Sequence, residues 1–139
     1  MVNLLIGPKG SGKTVKMFDL ANASAKEING NVVFIKNSPE ETAKLSHSIR
    51  VVVMKDYAGI ANADEYIGFL YGMISANHDI EAIYIDGLLK LDKVSSADLV
   101  GFINRVKRIS ENEKVDFFVS CSVPKEALAN ISDCTIVDL

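Results

Sequence analysis

The residues Gly7-Pro8-Lys9-Gly10-Ser11-Gly12-Lys13-Thr14 set a lysine and a hydroxyl side by side at the end of a glycine-rich turn. They fit the spacing G-x-x-x-x-G-K-S/T at every required position. Glycines let the backbone curl until several N–H groups point at one phosphate, and a helix starting near Gly12 adds the positive end of its dipole. Lys13 is then expected to reach the β- and γ-phosphates, with the Thr14 hydroxyl on Mg²⁺. An ordinary strand-to-helix turn needs neither side chain at these places. A second candidate is Asp86, which closes the apolar run Glu81-Ala82-Ile83-Tyr84-Ile85. Ligands of an open parallel sheet lie beyond the carboxyl ends of its strands, and a carboxylate there can hold Mg²⁺ through its water shell.

The elements that must position these groups are legible as periodicities. Val2–Ile6 reads as a strand leading into the loop, and residues 13–28 as a helix closed by Asn29-Gly30. Asn31–Lys36 and Arg50–Lys55 are β-branched, apolar runs of the kind found in buried strands. Between them, Ser38-Pro39-Glu40-Glu41 looks like the start of a short helix completed by Thr42 to Ser48. Asn62 with Glu65 is a variant of the capping box and predicts a helix over 63–77, and Ser95 with Asp98 predicts another carrying Leu99, Phe102, Ile103, Val106 and Ile109 on one side. Residues 115–122 form a fifth strand, Pro124 can open a short helix over 125–129, and 134–137 close the chain as a strand. Strands alternating with helices predict an α/β fold, a mainly parallel sheet covered on both sides in three α/β/α layers.

The 139 residues, 48% hydrophobic and 24% charged, are expected to form a single nucleotide-binding domain over 1–139. A net charge of −3 argues against a broad nucleic-acid or anionic-lipid surface, although Lys107 and Arg108 are adjacent. No apolar run approaches the ~18 residues that span a bilayer, and the first strand begins too early for a cleaved signal, so a cytoplasmic location is expected. Cys121 and Cys134 lack zinc-ligand spacing and read as reduced thiols in strands.

With both motifs in view, the chain resembles the P-loop NTPases: GPKGSGKT is similar to Walker A and AIYID to Walker B. The extra strand-helix unit before Asp86 resembles the RecA-like core, which implies the strand order 3-2-4-5-1-6, counting along the chain. The same resemblance implies ATP or another NTP as ligand, Mg²⁺ at Thr14 and Asp86, and a polar sensing residue near the γ-phosphate, for which Ser120 and Ser122 are placed. Many relatives set a glutamate beside the Walker B aspartate; here Gly87 stands there. RecA uses a glutamate just beyond its second strand; here Lys36-Asn37-Ser38 follows, and the nearest acids are Glu40 and Glu41, more naturally first-turn helix acids than a base. Asp56, at the end of an edge strand, is remoter still.

The function expected from these residues is Mg²⁺-dependent binding of a purine nucleotide, ATP first, with NTPase activity that is weak or needs a protein partner or a second copy of the chain. The alternatives are a small-molecule or nucleoside kinase and a nucleotide-dependent scaffold without hydrolysis. RecA-like thymidine kinases begin with a similar G-P-x-x-S-G-K-T loop, but their Asp-Glu pair and zinc lobe are absent here. Arg50, Arg105 and Arg108 are arginine-finger candidates whose plainer role is a solvated element end, His47 and His78 flank helix ends, and Tyr57 and Tyr84 read as core aromatics. No aromatic and basic interleaving of the kind that binds single strands is present.

Overall fold

The apolar runs lie side by side in one sheet because each has too few polar residues to leave a face in water. The computed structural model spans residues 1–139. Its elements are β1 (Val2–Ile6), α1 (Lys13–Glu27), β2 (Asn31–Lys36), β3 (Arg50–Val53), α2 (Ala63–Ala76), β4 (Ile80–Ile85), α3 (Leu99–Glu113), β5 (Asp116–Cys121) and β6 (Thr135–Asp138). All pairings are parallel and the order is β3-β2-β4-β5-β1-β6, as the RecA-like resemblance implies.

Alternation of side chains splits the core into two layers. On one face Ile83, Ile85, Phe117 and Val119 pack under Leu70 of α2 and Phe102, Ile103 and Val106 of α3. On the other, Leu5, Phe34 and Tyr84 pack under Met17, Phe18 and Ala21 of α1. Here Phe34, Tyr84 and Phe118 form a stack across three strands, with centroids 5.9 and 4.3 Å apart and rings within 10° of parallel. The buried Tyr84 hydroxyl donates to the Leu20 carbonyl at 3.0 Å and shares a hydrogen bond with Ser24, so its polar end is satisfied inside α1. Tyr84 is thus a core residue as expected, whereas Tyr57 lies beyond β3 and is exposed. No helix is long and apolar enough to cross a membrane.

The caps read from the sequence are present. The Asn62 side chain accepts from the Glu65 N–H at 2.9 Å, and Glu65 reaches back to the Ala61 N–H at 2.8 Å. Ser95 accepts from the Asp98 N–H at 3.2 Å and opens a 3₁₀ turn, Ser96–Asp98, that leads into α3. The helix expected over 39–48 does not form. Only one 3₁₀ turn, Thr42–Lys44, stands there, so Glu40 and Glu41 are not first-turn helix acids. The cause is competition for carbonyls. The Pro39 and Glu40 oxygens that a helix would pair with backbone N–H groups instead accept from the Thr42 hydroxyl and the Lys36 ammonium, and Glu41 turns left-handed at φ 62°. The strand predicted over 50–55 likewise stops at Val53, where Met54–Asp56 make another 3₁₀ turn, and 125–129 holds only the 3₁₀ turn Lys125–Leu128.

Candidate functional site

β1 delivers Gly7 at the carboxyl edge of the sheet, between β5 and β6. Gly7 has φ 144°, and a Cβ there would lie 2.6 Å from the Leu139 carbonyl oxygen and 2.8 Å from Ser11 Oγ. Only glycine lets the loop leave β1 at this angle. Gly12 is the N-cap of α1 and offers no side-chain acceptor, which leaves the first N–H groups of the helix directed at the loop mouth. Lys13 is buried and folds back inside the loop: its ammonium donates to the Gly7 and Pro8 carbonyls at 3.0 and 2.9 Å and to Ser11 Oγ at 3.4 Å.

Strand register brings the second half of the site to this point. Ile35 pairs with Ile85 and Ile85 with Val119, so the next residues, Lys36, Asp86 and Ser120, stand abreast on three neighbouring strands. Each is two places beyond a member of the aromatic stack, and period-2 alternation therefore directs all three toward α1. Thr14, in the first turn of α1, donates from Oγ1 to Asp86 Oδ2 at 3.0 Å across 72 residues of sequence. Ser120 Oγ donates to the other oxygen, Oδ1, at 2.6 Å and accepts from the Gly87 N–H at 2.8 Å. Two hydroxyls thus fix the carboxylate. Asn37, beyond β2, donates to the Asp86 and Gly87 carbonyls at 3.3 and 3.0 Å and pins the backbone on the other side.

The loop and the strand ends enclose an open cleft of about 260 Å³, lined by Lys9, Lys13, Thr14, Asp86, Lys90 and Ser122 among others. Val15 is its one apolar side chain, which suits a phosphate chain and offers no platform for a base. Ser120 and Ser122 therefore separate in role. Ser120 is buried and occupied with Asp86 and Gly87, while Ser122 is exposed at the rim. Gly87, in the place where a neighbouring glutamate would stand, has φ 67°, and a Cβ there would meet Asn37 Nδ2 at 2.8 Å. A side chain at 87 is therefore strained as well as missing. Glu40 and Glu41 border a smaller recess on the β2 side of Asp86. Both are exposed; a hydrogen bond from Ser38 holds the Glu40 carboxyl below its usual range, and Glu41 pairs with Lys44 at 2.9 Å. Neither is held in the way expected of a positioned base.

The donor set fits a hard cation: one hydroxyl and one carboxylate, both oxygen, beside a cleft. No three His, Cys, Asp or Glu side chains converge anywhere, so the protein offers no closed metal cage. Mg²⁺ needs none, since it keeps several waters and takes phosphate oxygens as ligands. The remaining candidates lie elsewhere. Arg105 pairs with Asp64 at 2.5 Å between α3 and α2, Arg50 and Arg108 are exposed, and His47 and His78 are exposed in turns. Burial pushes the Cys121 thiol up to about 11, against a smaller opposing effect of Lys13, which makes it a core residue rather than a nucleophile. Lys36 and Asn37 are the site-lining residues that motif reasoning passed over. The available signal was a charged residue closing an otherwise apolar strand, the same signal that singled out Asp86.

The chain matches no protein-family model, and no curated protein is significantly similar to it.

Proposed function

We propose that the chain binds the phosphate chain of a purine nucleoside triphosphate, ATP first, together with Mg²⁺, in the manner of a P-loop NTPase with a RecA-like core. The observation that carries this reading is the bond from Thr14 to Asp86: residues 72 apart meet beside Lys13 at the mouth of a glycine loop. In this reading the loop N–H groups and the α1 N-terminus cradle the β-phosphate, and Lys13 exchanges the Gly7 and Pro8 carbonyls for phosphate oxygens. Thr14 and Asp86 hold Mg²⁺, which supplies charge neutralisation and orients the terminal phosphoryl group. Ser120 keeps the Asp86 carboxylate in one orientation. A glycine at 87, where a side chain would be strained, and two solvent-exposed glutamates leave no group of this chain set to activate water. Hydrolysis is therefore slow or completed by a partner.

Thermal unfolding with ATP, GTP and their diphosphates, with and without Mg²⁺, tests the reading in nucleotide-free protein. A ligand at one hundred times its Kd stabilises by about 2.7 kcal/mol. Lys13→Ala should abolish that shift, and Asp86→Asn should remove its Mg²⁺ dependence while leaving a residual shift. No shift with any nucleotide overturns the reading. Phosphate release and a screen of small hydroxyl acceptors then separate slow hydrolysis from kinase activity.

A further inference from the structure

Lys36 closes β2 as Asp86 closes β4, one register step beyond the Ile35–Ile85 pair and on the same face of the sheet. It is among the most buried charged residues of the chain, at 5% exposure, and it forms no ion pair. Its ammonium donates to the Glu40 carbonyl and to Thr42 Oγ1 at 3.4 Å, and lies 5.2 Å from the centre of the Phe18 ring. Every one of these contacts is with a neutral group. A buried ammonium without a counter-ion is costly, and burial indeed pulls its pKa below the usual lysine range although Asp86, Glu41 and Glu40 act to raise it. The Asp86 carboxylate, one strand away, is in the complementary position, held by two hydroxyls and paired with no cation.

Between them lies a recess of about 130 Å³ bordered by Thr14, Phe18, Lys36, Glu40, Glu41 and Asp86. That is the share of about four water molecules in the liquid, enough for a tetrahedral anionic group and too little for a nucleoside. Glu40 and Glu41 face the same recess and oppose an anion, but both are exposed and solvent-screened, and Glu41 is paired with Lys44. Lys90 also borders the recess but is exposed, so the buried positive charge there is Lys36.

We propose that Lys36 is a second phosphate-binding residue, whose ammonium takes an oxygen of the terminal phosphoryl group from the β2 side while Lys13 holds the phosphate chain from the loop side. This assignment rests on the triphosphate reading above. It makes Lys36 the residue that distinguishes a triphosphate from a diphosphate, because the recess, which adjoins the cleft at Thr14 and Asp86, is assigned to the terminal phosphoryl group alone.

The test measures affinities of wild type, Lys36→Met and Lys36→Arg for a non-hydrolysable ATP analogue and for ADP, both with Mg²⁺, alongside thermal unfolding of each protein without nucleotide. Lys36→Met should weaken the analogue by about ten-fold or more and change ADP by less than about two-fold, with Lys36→Arg intermediate. Without nucleotide, Lys36→Met should unfold no earlier than wild type, because the charge it removes has no counter-ion there. Equal losses for the two ligands, or none, overturn the assignment, as does a parallel drop in both affinities and in unfolding temperature. If wild type binds neither ligand, the nucleotide reading fails and takes this assignment with it; equal losses on a binding wild type overturn the assignment alone.

Discussion

The carboxyl ends of β1, β4 and β5 line the cleft and the segment that follows β2 lines the adjoining recess, yet they are built by different means. At the strand ends the partners are distant in sequence: Thr14 meets Asp86, Ser120 meets Asp86 and Gly87, and Leu88 donates its N–H to the Ser120 carbonyl at 3.0 Å. Sheet register sets these positions, and the register is in turn fixed by the buried residues Ile83, Ile85 and Val119. Past Lys36 the chain is held in part by near neighbours, with Thr42 on Pro39, Lys36 on Glu40 and Lys44 on Glu41, and in part by Asn37 on Asp86 and Gly87 and by Asn22, which donates to the Lys44 carbonyl and accepts from the Ser46 N–H. The first arrangement cannot change without the sheet changing; the second rests on side-chain hydrogen bonds outside the sheet. Fixed geometry thus holds Asp86 and its two hydroxyl partners, while Lys36 and its neighbours depend on local contacts.

The contrast predicts an unequal response to mutation. Ile83→Ala, in the centre of β4, should destabilise by about 2–5 kcal/mol, whereas Val53→Ala at the end of edge strand β3 should cost about 1 kcal/mol. Urea unfolding midpoints at constant slope would show it, and equal losses would contradict a rigid centre beside an adaptable edge. Ser120→Ala should cost about 1–3 kcal/mol, because the Gly87 N–H loses its acceptor in a buried place and Asp86 one of its two donors. A silent Ser120 variant in the same assay would mean that water replaces the hydroxyl and that register alone fixes Asp86. Asn62→Ala, at the exposed start of α2, should cost about 1 kcal/mol and leave nucleotide affinity untouched, so any change in binding would show coupling between α2 and the cleft.

How much was legible in the sequence follows the same division. Buried strands announce themselves by β-branched runs and the glycine loop by fixed spacing, whereas the sheet order, and with it the nearness of Thr14 to Asp86, was implied by the RecA-like resemblance. Ser120 and Ser122 were both expected near the phosphate end of the site and both line the cleft; that Ser120 also holds Asp86 follows from its place on the face of β5 that the Tyr84 stack defines. The 39–48 segment misled because Pro39, Glu40 and Glu41 have the composition of a helix start, whereas the carbonyls that a helix requires are claimed by Thr42 and Lys36. Such capture of backbone oxygens by side chains leaves no period in the sequence. Lys36 was passed over for a related reason, since a lysine at a strand end is ordinarily solvated, and only its burial here gives it significance.

The Phe34–Tyr84–Phe118 stack has an optical consequence. The chain contains no tryptophan and four tyrosines, of which Tyr57 and Tyr71 are exposed and Tyr66 lies on the far side of the sheet under α3. Tyr84 alone is sandwiched between parallel rings, two residues before Asp86 on the same strand. Its asymmetric surroundings should dominate the aromatic circular dichroism, so the protein carries a built-in chromophore beside its candidate metal site that registers strain in β4 without any added label.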